Sequence, residues 1–259
     1  MGRKGEKNMK KVLKLMLALV MTCAIAGCSS SSKNDADVTI TIGTSPDYAP
    51  YESLNKKGEI VGFDVDMAKL FEGYLSDMEG KTYSLEFKQM DFDNIVTQIQ
   101  GDQIDLGFTY SEDRVVEWSD PYLGTQQVAV VPNGSSITSN DQLVGKKLAA
   151  QTGATGEQAA KEVENADVVS MKNVQDIFNG LSSNQYDAAI VDLGVAKQYV
   201  SSGNFTQLNG SLMDEKNYVI AKKGNTKMIK LMNKCIKKFV ASKDYDKLCK
   251  KYDLSPLEK

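Results

Sequence analysis

The side chains able to do chemistry in this sequence are mostly acids. Asp64 and Asp66 stand one residue apart, and Asp192 closes the apolar run Ala188-Ala189-Ile190-Val191. Paired carboxylates can hold a cation or divide into general acid and general base, but acids also gather at helix starts, where the dipole is positive. Asp64 and Asp66 precede an apolar repeat of helical spacing and read as helix-start acids. Asp192, between a strand and a helix, suits an N-cap. Arg114 lies near Glu112 and Glu117; a guanidinium can grip a carboxylate through two parallel hydrogen bonds, and on a surface it pairs with its own neighbours. Thr155 and Gln158 have the spacing of a capping box. Histidine is absent from all 259 residues. Ser-His-Asp triads, Cys-His dyads, HExxH zinc sites and His-ligated iron or copper are thereby excluded, which leaves carboxylates, lysine, tyrosine and plain binding.

The elements that must position these residues alternate. Residues 38–43 repeat apolar side chains with period two, whereas Val65, Ala68, Phe71 and Leu75 recur at helical spacing. Strands are expected over 84–88, 104–109, 128–131, 147–150, 168–171 and 187–191, with helices over 94–100, 155–163, 174–181 and 195–200. A strand and two lysine-rich helices fill 217–251. Strands separated by helices predict βαβ units, parallel sheets and an α/β class. With 41% apolar and 25% charged residues, the chain has globular composition and length for one large domain or two small lobes. Pro121 marks a boundary: a crossover is placed at 122–127 and a return at 211–218, which makes the first lobe discontinuous.

The first 27 residues differ from the rest. Arg3, Lys4, Lys7, Lys10, Lys11 and Lys14 form a basic segment ahead of the apolar stretch Leu15 to Ala26. Twelve residues are too few to cross a hydrocarbon layer of ~30 Å, so the segment reads as a secretory signal. Its end, Ile25-Ala26-Gly27-Cys28, resembles the lipobox of bacterial lipoproteins. The resemblance implies cleavage before Cys28, acylation of its sulfur and a lipid-anchored protein on the extracytoplasmic face of the cell membrane. Residues 28–37 then form a polar tether. Without residues 1–27 the chain keeps 25 basic and 33 acidic residues, a net −8, which suits a soluble body that avoids nucleic acid. Cys235 and Cys249 could be bonded, and read more simply as two buried free thiols.

Three segments carry a wider resemblance. They are Gly43-Thr44-Ser45-Pro46-Asp47-Tyr48-Ala49-Pro50-Tyr51-Glu52 with Gly62-Phe63-Asp64-Val65-Asp66; Ser111-Glu112-Asp113-Arg114 with Trp118-Ser119-Asp120-Pro121-Tyr122; and Gln151-Thr152-Gly153-Ala154-Thr155 with Asp187 to Asp192. In order and spacing this set resembles the extracellular solute-binding proteins, family 3, of polar amino-acid ABC transporters. The resemblance implies two Rossmann-like lobes of the periplasmic-binding-protein type II kind, joined by a two-strand hinge. Lobe 1 would hold 38–123 and 214–259, and lobe 2 would hold 124–213.

It also implies a site without enzymatic chemistry, cofactor or metal. Arg114 would clamp the ligand carboxylate, Thr155 would present a helix N-terminus to it, and Asp192 would accept the ammonium. Tyr48 would pack on the ligand side chain with Tyr51 beside it, and Gly107 and Thr109, at the family's offsets from Arg114, would touch the ligand backbone. Between Asp105 and Arg114 the chain is about three residues shorter than the family pattern. Gln151 and Val191 would face the ligand side chain. Ser45 stands where binders of cationic side chains carry an acid, which points to a neutral polar amino acid. The partners implied are an L-amino acid and permease subunits, with the binding protein itself a monomer; an enzyme such as a small-carboxylate dehydratase, or a tethered sensor, are the rival uses of the scaffold. Asp192→Ala and Arg114→Ala should each abolish binding and leave thermal unfolding of the apoprotein nearly unchanged. Binding should be nearly flat between about pH 5 and 8.

Overall fold

The computed structural model describes residues 36–110 and 115–257. The signal expected over 1–27, Cys28, most of the tether and the Ser111-Glu112-Asp113-Arg114 turn lie outside them. The chain runs β1 (Val38–Thr44), β2 (Asp47–Tyr48), β3 (Glu52–Leu54), β4 (Ile60–Val61), α1 (Phe63–Glu79), β5 (Tyr83–Gln89), α2 (Ile95–Gln100), β6 (Leu106–Tyr110), β7 (Val116–Trp118) and β8 (Leu123–Pro132). It continues as β9 (Lys147–Gln151), α3 (Thr155–Glu162), β10 (Asp167–Met171), α4 (Val174–Ser182), β11 (Ala188–Asp192), α5 (Leu193–Val200), β12 (Phe205–Gln207), β13 (Met213–Lys222), α6 (Thr226–Val240) and α7 (Lys243–Tyr252).

One curled sheet runs in the order β10-β9-β11-β8-β13-β6-β1-β5. At each end three strands are parallel, β10-β9-β11 and β6-β1-β5, as βαβ connections require. The two central strands pair antiparallel with each other through Leu123 to Gln127 and Met213 to Asn217, then part. Past Gln127, β8 continues beside β11, and past Asn217, β13 continues beside β6. The result is the α/β class that the alternation of strands and helices predicts, with the two lobes and two-strand hinge that the resemblance implies.

The first halves of these hinge strands escape apolar periodicity, which finds only 128–131 and 217 onward. Their alternation is present, but polar residues occupy the inward positions. Thr125, Gln127 and Asn217 are all buried. Such burial is costly wherever hydrogen bonds do not replace water.

Two local devices set the functional region. Gly62 has φ 147°, and a Cβ there would lie 2.0 Å from the Tyr51 carbonyl oxygen; only glycine lets α1 start this close to the loop before it. The freed N–H groups of Phe63 and Asp64 donate to the carbonyls of Pro50 and Tyr51, which fixes the Tyr51 backbone. In the other lobe, a Cβ on Gly156 would lie 2.7 Å from the Ile190 carbonyl oxygen, so glycine allows the first turn of α3 to rest on β11. The capping box expected at Thr155 and Gln158 does not form. Ala154 is the N-cap, Thr155 is already helical, and Gln158 donates its side-chain amide to Glu162 instead. Asp64 and Asp66 do lie in the first turn of α1. Cys235 and Cys249 are free and buried, and burial pushes their thiols up to about 12 and about 11.

Candidate ligand-binding cleft

Asp192 ends β11 and is 2% exposed. It is the N-cap of α5, and its Oδ1 accepts from the Gly194 N–H at 2.7 Å. The same oxygen accepts from the Tyr51 hydroxyl of the other lobe at 2.7 Å, and Oδ2 accepts from the Thr125 hydroxyl of the hinge at 2.7 Å. Burial pushes this carboxyl up from its ordinary range, and the donors from Tyr51, Thr125 and the Gly194 and Val195 amides oppose the shift. Gly194 makes room for the arrangement, since a Cβ there would meet the Tyr51 hydroxyl at 3.0 Å and Leu254 at 2.8 Å. Tyr48 stacks against Tyr51 with ring centroids 6.0 Å apart, and both rings are buried. Burial raises the Tyr48 hydroxyl pKa well above its usual value, and the charges of Asp192 and Glu215 add to the effect.

Glu215 sits opposite Thr125 in the β8–β13 register and is half-buried. Gln127 Nε2 donates to its Oε1 at 2.5 Å and reaches Thr155 Oγ1 at 3.1 Å. Burial raises the Glu215 pKa and nearby Asp192 raises it further, against hydrogen bonds from Gln127 and Thr155. The hinge ribbon therefore links the N-terminus of α3 and the end of β11 through the side chains of Thr125 and Gln127, beside the backbone pairing of β8 with β11.

A second set of contacts closes the seam between the lobes. Asp47 Oδ2 accepts from the Val174 N–H at 2.7 Å, capping α4 from the opposite lobe, and from Gln151 Nε2 at 3.4 Å. Gln151 also donates to the Lys172 carbonyl, and it is 2% exposed. Lys172 pairs with Asp91 at 2.9 Å and Asp93 at 3.7 Å. A cavity of about 550 Å³ opens here, lined from both lobes by Ser45, Asp47, Met90, Lys172 and Asn173 among others, within the size range of small-molecule sites.

The sequence profile of the bacterial extracellular solute-binding proteins, family 3, matches residues 40–255. The chain belongs to this family. It is 31% identical to the arginine-binding extracellular protein ArtP of Bacillus subtilis, over 94% of this chain and 98% of that protein. Among solved structures it resembles the substrate-binding protein of an amino-acid ABC transporter, with TM-score 0.75, 32% identity and coverage of 83% and 99%. It also resembles an ancestral amino-acid-binding protein described as a precursor of cyclohexadienyl dehydratase, with TM-score 0.75, 28% identity and coverage of 83% and 95%.

For this solute-binding protein, the structure brings Tyr48, Thr155 and Asp192 to one region and sets Gln151 at the adjoining seam. Gly107 lies buried on β6, paired with Gly43 of β1 and Ile220 of β13. Thr109 is a backbone member of β6, and Arg114 lies outside the described residues. Thr125, Gln127 and Glu215 were missed by sequence reasoning because their strands lack apolar signal, and Asp47 because nothing local marks it as a cap for a helix 127 residues away. Tyr51, expected beside Tyr48, is buried in the core and donates to Asp192. Among the described residues, no helix is long and apolar enough to cross a membrane, and no group of three or more His, Cys, Asp or Glu is disposed around a metal position.

Proposed function

We propose that the chain is the binding component of an ABC importer and captures an L-amino acid between its lobes. The observation that carries this reading is the Asp192 carboxylate, held buried by donors from the hinge, its own helix and the opposite lobe, with Tyr48 and the start of α3 beside it. That arrangement supplies a fixed acceptor for an ammonium, an aromatic wall, and a helix N-terminus suited to a carboxylate. Arg114 completes the carboxylate clamp in this reading, with Gly107 and Thr109 along the ligand backbone. Only the form in which the lobes meet offers both sets of contacts, so the ligand favours closure through differential affinity. The lobes divide as 38–123 with 214–259 and as 124–213.

The neutral polar ligand expected from Ser45 now stands against a carboxylate supplied elsewhere, at Glu215. ArtP, named as an arginine binder, is consistent with either the backbone or the side chain of the ligand being held this way. We also propose that residues 1–27 are removed, that Cys28 carries lipid, and that the monomeric protein works tethered on the outer face of the membrane, where permease subunits read the closed shape.

A thermal-shift screen of the purified protein against all L-amino acids tests the reading, because a ligand at 100-fold its Kd adds about 2.7 kcal/mol. At least one amino acid should raise the midpoint. No shift with any amino acid, together with turnover of a small cyclic carboxylate, would replace capture by dehydration. The wiring of Asp192 argues against that outcome: both its oxygens accept hydrogen bonds, whereas a general acid must present a proton.

A further inference from the structure

Resting on the amino-acid reading above, we infer that Glu215 is a second carboxylate anchor of the cleft and selects a ligand whose side chain is positively charged, a guanidinium above all. The position of Glu215 is set by strand register. It lies directly across from Thr125, and residues paired this way on antiparallel strands point to the same face. That face is the one from which the Thr125 hydroxyl reaches Asp192. Two carboxylates therefore stand at one cleft floor, and one is enough for an α-ammonium.

The remaining polar atoms point the same way. Gln127 and Gln151 are 1% and 2% exposed, and the Oε1 of each has no hydrogen-bond partner among the described residues. Neither amide can simply turn over. Gln127 Nε2 is spent on Glu215 and Thr155, and Gln151 Nε2 on Asp47 and the Lys172 carbonyl, so a reversed amide would set oxygen against oxygen. Buried acceptors without donors are costly and mark where a donor belongs. Lys172, a cation that lines the seam, is already engaged by Asp91 and Asp93.

The region thus offers acceptors in excess: one carboxylate beyond the needs of the backbone ammonium and two uncommitted amide oxygens. A neutral side chain would leave Glu215 facing Asp192 with no counter-charge. An ammonium side chain would neutralise it. A guanidinium would neutralise it and also bring five N–H donors and no acceptor in one plane. Ser45 fits the same account. The acid that cationic binders carry at that position is here supplied from the hinge strand, on the far side of Asp192 in sequence.

Calorimetric titration of the wild-type protein and of Glu215→Gln with L-arginine, L-lysine and L-glutamine tests the inference. Wild type should bind arginine at least ~10-fold more tightly than glutamine. Glu215→Gln should weaken arginine by about 100-fold, the scale of a desolvated charged hydrogen bond, and change glutamine by less than ~3-fold. Glu215→Asp, which keeps the charge on a shorter arm, should recover part of the arginine affinity. A wild type that prefers glutamine, or a folded Glu215→Gln that holds arginine as tightly as wild type, overturns the inference while leaving amino-acid capture intact. Absence of binding to any amino acid overturns both. If Glu215→Gln loses its native circular dichroism, the wild-type preference among the three ligands decides the matter alone.

Discussion

Asp192 and Glu52 are buried to nearly the same degree, 2% and 4% exposed, yet their surroundings differ in kind. Asp192 is ringed by donors from Tyr51, Thr125 and Gly194. Glu52 faces another carboxyl, that of Asp64, and its Oε2 has no hydrogen-bond partner among the described residues. Burial and the Asp64 charge together push Glu52 well above the ordinary carboxyl range, with Asp47 and Asp192 adding to the push. Tyr122 donates to the Asp64 carboxyl at 3.2 Å. The comparison teaches that burial alone does not fix a carboxyl's role. Donors make Asp192 an acceptor ready for a cation, whereas burial and a like neighbour push Glu52 toward its protonated form.

The strongest attempt to break this comparison is Asp192→Ala. It should abolish measurable binding in calorimetry and also lower stability in urea unfolding by about 2–4 kcal/mol, because it strands two hydroxyls and a helix N–H. That second effect departs from the expectation of unchanged unfolding for a residue that serves only the ligand. Next comes Tyr51→Phe, which removes one donor and leaves the ring; affinity should fall about 10-fold and stability by about 1–1.5 kcal/mol. Glu52→Gln should behave in the opposite sense. At pH 8 it should be neutral or stabilising by about 1 kcal/mol, since it replaces a carboxyl that must otherwise stay protonated or bear a buried charge beside Asp64.

The smallest effect is the pH slope of the wild type. For carboxyls whose folded pKa lies above the unfolded one, the folded state holds more protons, so stability is full below the unfolded value and is lost as pH rises through the folded value. Glu52, Asp192 and Glu215 all have this sign. Melting midpoints should therefore decline from about pH 5 toward pH 8, and Glu52→Gln should flatten the decline. A rising midpoint across that range would show that Glu52 ionises freely. The same upward shifts of Asp192 and Glu215 move the start of the flat region of ligand binding to higher pH than residue types alone suggest.

Much of the fold was legible because its signals are local. The strands of the parallel cores are short apolar runs, and α1 carries its buried face at Phe63, Met67, Phe71 and Leu75. The small sheet of β2, β3 and β4 and the polar halves of β8 and β13 were not legible, for different reasons. The former are two or three residues long. The latter alternate correctly but bury Thr125, Gln127 and Asn217, which hydropathy scores as outward residues. In the cleft, Asp192 and Thr155 were marked locally only as a strand end and a helix start; their ligand roles, and that of Tyr48, came from the resemblance to the family. Glu215 could be found only by pairing β13 with β8, a register that no local pattern encodes.

The two buried thiols have a practical consequence. Cys235 lies on α6 and Cys249 on α7, in the lobe of β1, and residues 124–213 contain no cysteine. With thiols held near 12 and 11, almost no thiolate exists at neutral pH, so a maleimide reacts only after the helices come away from their core. Pulsed alkylation read by mass would act as a clock for one half of the molecule. Run beside amide exchange on α3 and α5, it would reveal whether the halves melt in a single event or in succession.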